Sequence, residues 1–129
     1  MTGYAQVQVA LERLPQGPWI YARLMDDPGA AYGDGLAEDG SIVEVLDGEG
    51  RFCGHGLYNS TSDIRVRMLS RGRRKDLDRP REFLRRQIAS ALRMRRKLLH
   101  LDDVTDAYRV VHAEGDDLSG LIVDKLGDA

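Results

Sequence analysis

Residues 6–11, Gln-Val-Gln-Val-Ala-Leu, alternate polar and apolar, as a strand with one buried face does. Pro15-Gln16-Gly17-Pro18 ends that pattern. The short apolar run at 19–25 predicts a strand or a helical turn, and residues 26–41 read as a loop punctuated by Pro28, Gly29, Gly33, Gly35 and Gly40. Residues 41–46 predict a strand, Asp47-Gly48-Glu49-Gly50 a hairpin turn, and residues 51–58 the returning strand. Gly54 and Gly56 share one face of it, where missing side chains admit another backbone or a ring. Beyond a turn at 59–63, Ile64, Val66 and Met68 face one way and Arg65 and Arg67 the other. Strands this closely spaced, joined by Gly-rich turns, predict a small barrel over the first 70 residues.

The period then changes. Asp78 or Arg79 can cap a helix, and Pro80 suits its first turn. Leu84, Ile88, Ala91, Leu92, Leu98 and Leu99 recur at helical spacing, which predicts one helix over 80–99 with an apolar stripe. Arg81, Arg85, Arg86, Arg93 and Arg96 fall mainly off that stripe. Residues 108–113 and 121–123 predict two more strands around an acidic turn at 114–120.

Charge sharpens this picture more than composition does. The chain has 129 residues, 42% hydrophobic and 31% charged, and a formal net charge of −2. That near-neutrality hides a segregation. Residues 65–97 hold 14 of the 19 Lys+Arg and 3 of the 21 Asp+Glu, and all but Lys75 and Lys97 of those cations are arginine. A planar guanidinium suits phosphate and stacks on bases, so one face points to a polyanion. No apolar run approaches the roughly 18 residues of a membrane span. The first ten residues lack the basic start and apolar core of a secretory signal. A single cysteine, Cys53, closes no internal disulfide, so a reducing cytoplasm is the expected compartment.

Gly17-Pro18-Trp19-Ile20-Tyr21, then Ser41-Ile42-Val43-Glu44-Val45 through Asp47, then Gly54-His55-Gly56-Leu57-Tyr58-Asn59, Ser62 and Ile64-Arg65-Val66-Arg67 form an ordered set. A second set is Tyr108-Arg109-Val110-Val111-His112-Ala113-Glu114-Gly115-Asp116, Leu118 and Gly120-Leu121-Ile122-Val123-Asp124-Lys125. In order and spacing the two resemble the N-terminal part of bacterial 23S rRNA (cytosine-C5) methyltransferases, with departures at Gly17, Asp117 and Ser119. The resemblance implies a fold that is mainly β with one long helix. A PUA-like small β-barrel, an RNA-binding module, would occupy residues 1–72. An incomplete central α+β domain (strand, helix, hairpin) would occupy residues 73–129. A C-terminal methyltransferase domain, with its cysteines and its S-adenosylmethionine site, would lie outside the chain, making this an N-terminal fragment with no catalysis or cofactor of its own. Gly33-Asp34-Gly35 lacks the preceding strand that a cofactor loop needs.

The implied function is to position 23S rRNA for that catalytic domain. Phosphate contacts are expected from Arg65, Arg67, Arg71, Arg73, Arg74, Lys75, Arg81, Arg85 and Arg86, and base contacts from Tyr58 and Asn59 beside Gly56. Other candidates read as structural. Trp19 is expected to be a buried anchor, Cys53 a half-buried thiol, His100 a helix cap, His112 a strand residue, and Glu114, Asp116 and Asp117 a solvated turn. Cys53 and His55 supply two ligands where a zinc site needs more. An apolar strand at 121–123 without a further neighbour is expected to fray or to pair with a second copy, giving a homodimer. Two other functions fit the same charges: a module whose Arg-rich helix binds an acidic protein, or a PUA-like module serving another RNA-modifying enzyme.

Overall fold

The protein, described by a computed structural model over residues 3–26 and 37–128, divides into two units, Met1–Asp78 and Arg79–Ala129. Gly33-Asp34-Gly35, with Pro28 and Gly29, lies outside the described residues.

Alternation builds the first unit. Its strands are β1 (Gln6–Gln8), β2 (Trp19–Tyr21), β3 (Ile42–Leu46), β4 (Phe52–Tyr58) and β5 (Ile64–Ser70). They form one sheet in the order β1-β3-β4-β5-β2. The central pairs β3–β4 and β4–β5 are antiparallel, as the Asp47-Gly48 turn and the 59–63 turn require. Asp47 accepts backbone N–H bonds from Glu49 (2.9 Å) and Arg51 (3.0 Å), fixing the hairpin. β1 pairs in parallel with β3, a long-range match that local pattern does not encode. The sheet curls until its two outer strands meet: Val9 bridges Met25, and Ala10 N–H donates to Leu24 C=O at 2.8 Å. Inside the curl, Val7, Val9, Ile20, Val43, Val45 and Val66 are fully buried. The 19–25 run is strand first and then a 3-10 turn at Ala22–Leu24.

Gly54 and Gly56 serve the close approach their spacing predicts. A Cβ at Gly54 would lie 2.2 Å from the backbone oxygen of Ser70, and one at Gly56 2.3 Å from Val66 Cγ1.

The first unit ends six residues later than the expected boundary at 72. The 3-10 turn Arg74–Leu77 buries Leu77 completely and offers Leu77 C=O to the Tyr4 hydroxyl at 2.9 Å. Arg74 also ion-pairs with Glu44 on β3 at 3.0 Å. Those contacts tie residues 73–78 to the barrel.

The second unit comprises α1 (Pro80–Arg93), a π turn (Met94–Leu98), and the antiparallel hairpin β6 (Ala107–His112) and β7 (Ile122–Leu126). Its small core is Ala91, Val111 and Leu118, flanked by Val110. The expected apolar stripe is only partly covered. Ala91 is buried, but Leu84, Ile88, Leu98 and Leu99 are exposed, the last two by more than half. A short hairpin has too little surface to cover five helical turns. The π turn also rotates the helix out of phase after Met94.

Candidate nucleic-acid interface

The cations of residues 65–97 are not equivalent. Several are committed to the protein's own structure. In the first unit, Arg71 donates to the carbonyls of Pro15 (2.5 Å) and Gly17 (2.6 Å), pinning the segment before β2. Arg74 pairs with the buried Glu44, and its guanidinium lies 4.7 Å from the Phe52 ring centre. Arg73 is mostly exposed and sits 3.7 Å from Asp76. Arg65 stands on the outer sheet face and donates weakly to Asn59 C=O at 3.4 Å. Arg67 lies over the Trp19 ring at 5.7 Å. Lys75 is exposed, with no ion pair among the described residues.

In the second unit Arg95 turns inward. It binds Asp116 through both carboxylate oxygens (2.5 and 2.7 Å) and donates to Arg109 C=O. Asp116 is therefore a buried partner, not part of a solvated turn. Its carboxyl is held below the usual carboxylate range chiefly by the Arg95 hydrogen bonds. Ser119, also buried, donates to Glu114 at 2.6 Å. Arg96 and Lys125 share Asp102, at 3.0 and 2.9 Å. They rim an open cleft of about 440 Å³ floored by Leu92, Val110 and Val123, where the cationic charge is already matched by acids. What remains on the helix is Arg79, Arg81, Arg85, Arg86, Arg93 and Lys97, all exposed and without an ion pair among the described residues. On α1, Arg81 and Arg85 are one turn apart and Arg86 and Arg93 two turns apart, so they stack along the exposed side.

Two expected base contacts change. Tyr58 is only 5% exposed and packs in the barrel core with Val43, Val45 and Val66, so its ring offers no face to a base. It falls on the inward side of β4 with Gly54 and Gly56. Asn59 is exposed, but its side-chain oxygen accepts N–H bonds from Thr61 (2.9 Å) and Ser62 (3.1 Å), closing the 59–63 turn. Trp19 reverses the other way. Expected to be buried, it is 36% exposed, because Ile20 takes the inward position on β2.

The remaining candidates are placed as follows. Cys53 is half-buried and burial raises its thiol pKa. His55 is fully buried on the outer sheet face, edge-on to Tyr4 and Phe52. Burial lowers its pKa, and neither ring nitrogen has a hydrogen-bond partner among the described residues. His100 adopts a left-handed conformation just past the π turn, and His112 is exposed at the end of β6. No cluster of three metal-ligating side chains occurs among the described residues. No helix there is long and apolar enough to cross a membrane.

Residues 12–71 match the family model of the PUA-like domain. A protein of Klebsiella pneumoniae named Ribosomal RNA large subunit methyltransferase I is 30% identical over 115 residues, covering 89% of this chain and 27% of that protein. A namesake from Aliivibrio fischeri is 32% identical over 111 residues, covering 86% of this chain and 26% of its own length. The chain thus spans about a quarter of the length of these curated relatives. Among solved structures, a candidate SAM-dependent methyltransferase from Streptococcus mutans superposes with a TM-score of 0.67 at 18% identity, covering 95% of this chain and 31% of that one. At that identity the likeness shows the fold. Residues 12–71 are thus similar to the PUA-like domain, and 115 of the chain's residues are similar to the N-terminal part of a protein named Ribosomal RNA large subunit methyltransferase I.

Proposed function

We propose that this chain is the RNA-binding portion of an S-adenosylmethionine-dependent rRNA methyltransferase, holding large-subunit rRNA for a catalytic domain. The observation that carries the reading is the set of uncommitted cations: Arg81, Arg85, Arg86 and Arg93 along α1, with Arg79 and Lys97 at its ends. Protein-internal acids neutralise Arg74, Arg95 and Arg96, but not these. Cations kept exposed and unpaired on one helix side meet a polyanion by releasing its counterions. Methyl transfer is the activity proposed for the parent protein, of whose named relatives this chain spans about a quarter.

The test is fluorescence anisotropy of a labelled, structured large-subunit rRNA fragment titrated with the full chain at several salt concentrations. Affinity is expected to fall steeply with salt. Replacing Arg85, Arg86 and Arg93 together by Ala should weaken binding to all RNAs alike and lower the salt slope by roughly one per lost phosphate contact. No binding at low salt would overturn the reading in favour of an acidic protein partner for the helix.

A further inference from the structure

The outer face of the barrel's sheet has two halves. One is sealed: Glu44 and His55 lie side by side across β3 and β4, both buried, with Arg74 bonded to Glu44. The other half is open. There a single cross-strand row runs Trp19, Arg67, Leu57, Ile42 through β2, β5, β4 and β3. Trp19 is 36% exposed and the other three are half-buried. The Arg67 guanidinium lies 5.7 Å from the centre of the indole ring. Two residues along β2, Tyr21 repeats the arrangement, with Arg23 at 5.0 Å from its ring. The register shifts between Ile20 and Tyr21, so that Tyr21 pairs with Ile64 while Trp19 pairs with Arg67.

This edge is also held in place. Arg71 fixes the carbonyls of Pro15 and Gly17, and Met68 N–H donates to Pro18 C=O at 2.7 Å, immediately before Trp19. Two aromatic rings on a braced strand, each with a guanidinium over it, make a stacking platform that carries its own phosphate-binding groups. Duplex RNA keeps its bases stacked inside and offers them no face, whereas an unpaired strand does.

We infer that the open half of the outer sheet face binds unpaired RNA bases, stacked on Trp19 and Tyr21, with Arg67 and Arg23 meeting the adjoining phosphates. The site rests on the RNA-binding reading and differs from it in kind. The helix cations sense charge on any RNA, whereas this row selects single-stranded segments.

Trp19 is the sole tryptophan, so its emission reports the site directly. The full chain is titrated with a short oligouridylate and, separately, with a blunt RNA duplex of equal phosphate concentration. Quenching of Trp19 is expected with the single strand and not with the duplex. In anisotropy with a labelled single strand, Trp19→Leu should weaken binding about tenfold, the loss of one stack, while leaving duplex affinity unchanged. Trp19→Phe, which keeps a ring, should restore most of the loss. RNA binding with a steep salt dependence but an unchanged Trp19 emission would overturn the stacking site and leave the helix reading intact. So would a Trp19→Leu protein that binds single strands like the wild type. Failure to bind any RNA would overturn both. Emission that responds to an acidic protein and not to RNA would reassign the face to a protein partner.

Discussion

The barrel and the helix–hairpin unit solve the same problem with opposite means. In the barrel, the apolar side chains of β1 to β5 converge, and Val7, Val9, Ile20, Val43, Val45 and Val66 lose all contact with water. In the helix–hairpin unit much of the apolar material stays outside: Leu98, Leu99, Ile122 and Leu126 are each more than half exposed. Cohesion there leans on charge pairs instead: Arg95–Asp116, Arg109–Asp124 across β6 and β7, and Arg96 and Lys125 on Asp102. Apolar closure depends on shape and is indifferent to salt. Charge pairing depends on geometry, protonation and ionic strength. The two units should therefore fail under different insults.

The largest expected break is in the barrel. Gly54→Ala places a methyl group 2.2 Å from the Ser70 carbonyl oxygen at a φ of +152°, and backbone cannot step aside as a side chain can. We expect a loss of about 3 kcal/mol, read as a shift of the barrel's urea midpoint, with the helix–hairpin amides unchanged. A midpoint unmoved by the substitution would refute the close β4–β5 approach. Next is Asp116→Asn, which leaves Arg95 largely buried beside a neutral partner. Its expected cost is about 2 kcal/mol, seen as faster hydrogen exchange over 107–126 and normal exchange in the barrel.

The finest distinction is in acid. Burial holds His55 below its ordinary value near 6.5, so the unfolded barrel takes up a proton that the folded one refuses. Barrel stability is thus full above pH 6.5 and declines as pH falls toward the depressed folded value. Asp102, Asp116 and Asp124 sit below their ordinary 3.8, held chiefly by hydrogen bonds from Lys125, Arg95 and Arg109. Their contribution is present above about 3.8 and is lost as pH falls through the lower folded values. Hydrogen exchange at pH 7 and pH 5 should show protection dropping in the barrel first. Simultaneous loss in both units would refute the distinction.

Which parts of this were legible in the sequence follows from the range of the interactions. The Asp47-Gly48 hairpin, the alternation at Ile64, Val66 and Met68, and the Pro80 helix start are local, and each appears where its pattern predicts. The parallel β1–β3 pairing and the Val9–Met25 closure join residues 38 and 16 positions apart, which no short pattern carries. The charge excess was legible in the sequence, but not which of its cations are committed to internal acids. Arg74 and Arg95 look like their neighbours until Glu44 and Asp116, 30 and 21 positions away, are brought beside them. Tyr58 and Trp19 exchanged places for a similar reason. Alternation places both on strands, and only the curl of the sheet decides which side is inside.

The π turn at Met94–Leu98 puts two rulers of different graduation end to end in one helix. Positions up to Arg93 close their turns over four residues, whereas Leu99 N–H reaches back five to Met94 C=O. Arg95 reaches Asp116 from within that wider turn. When relatives of this chain are compared position by position, a one-residue gap placed before Met94 and one placed after Leu98 describe different molecules. The number of arginines is the same in both, but a different one is delivered to the acid at 116.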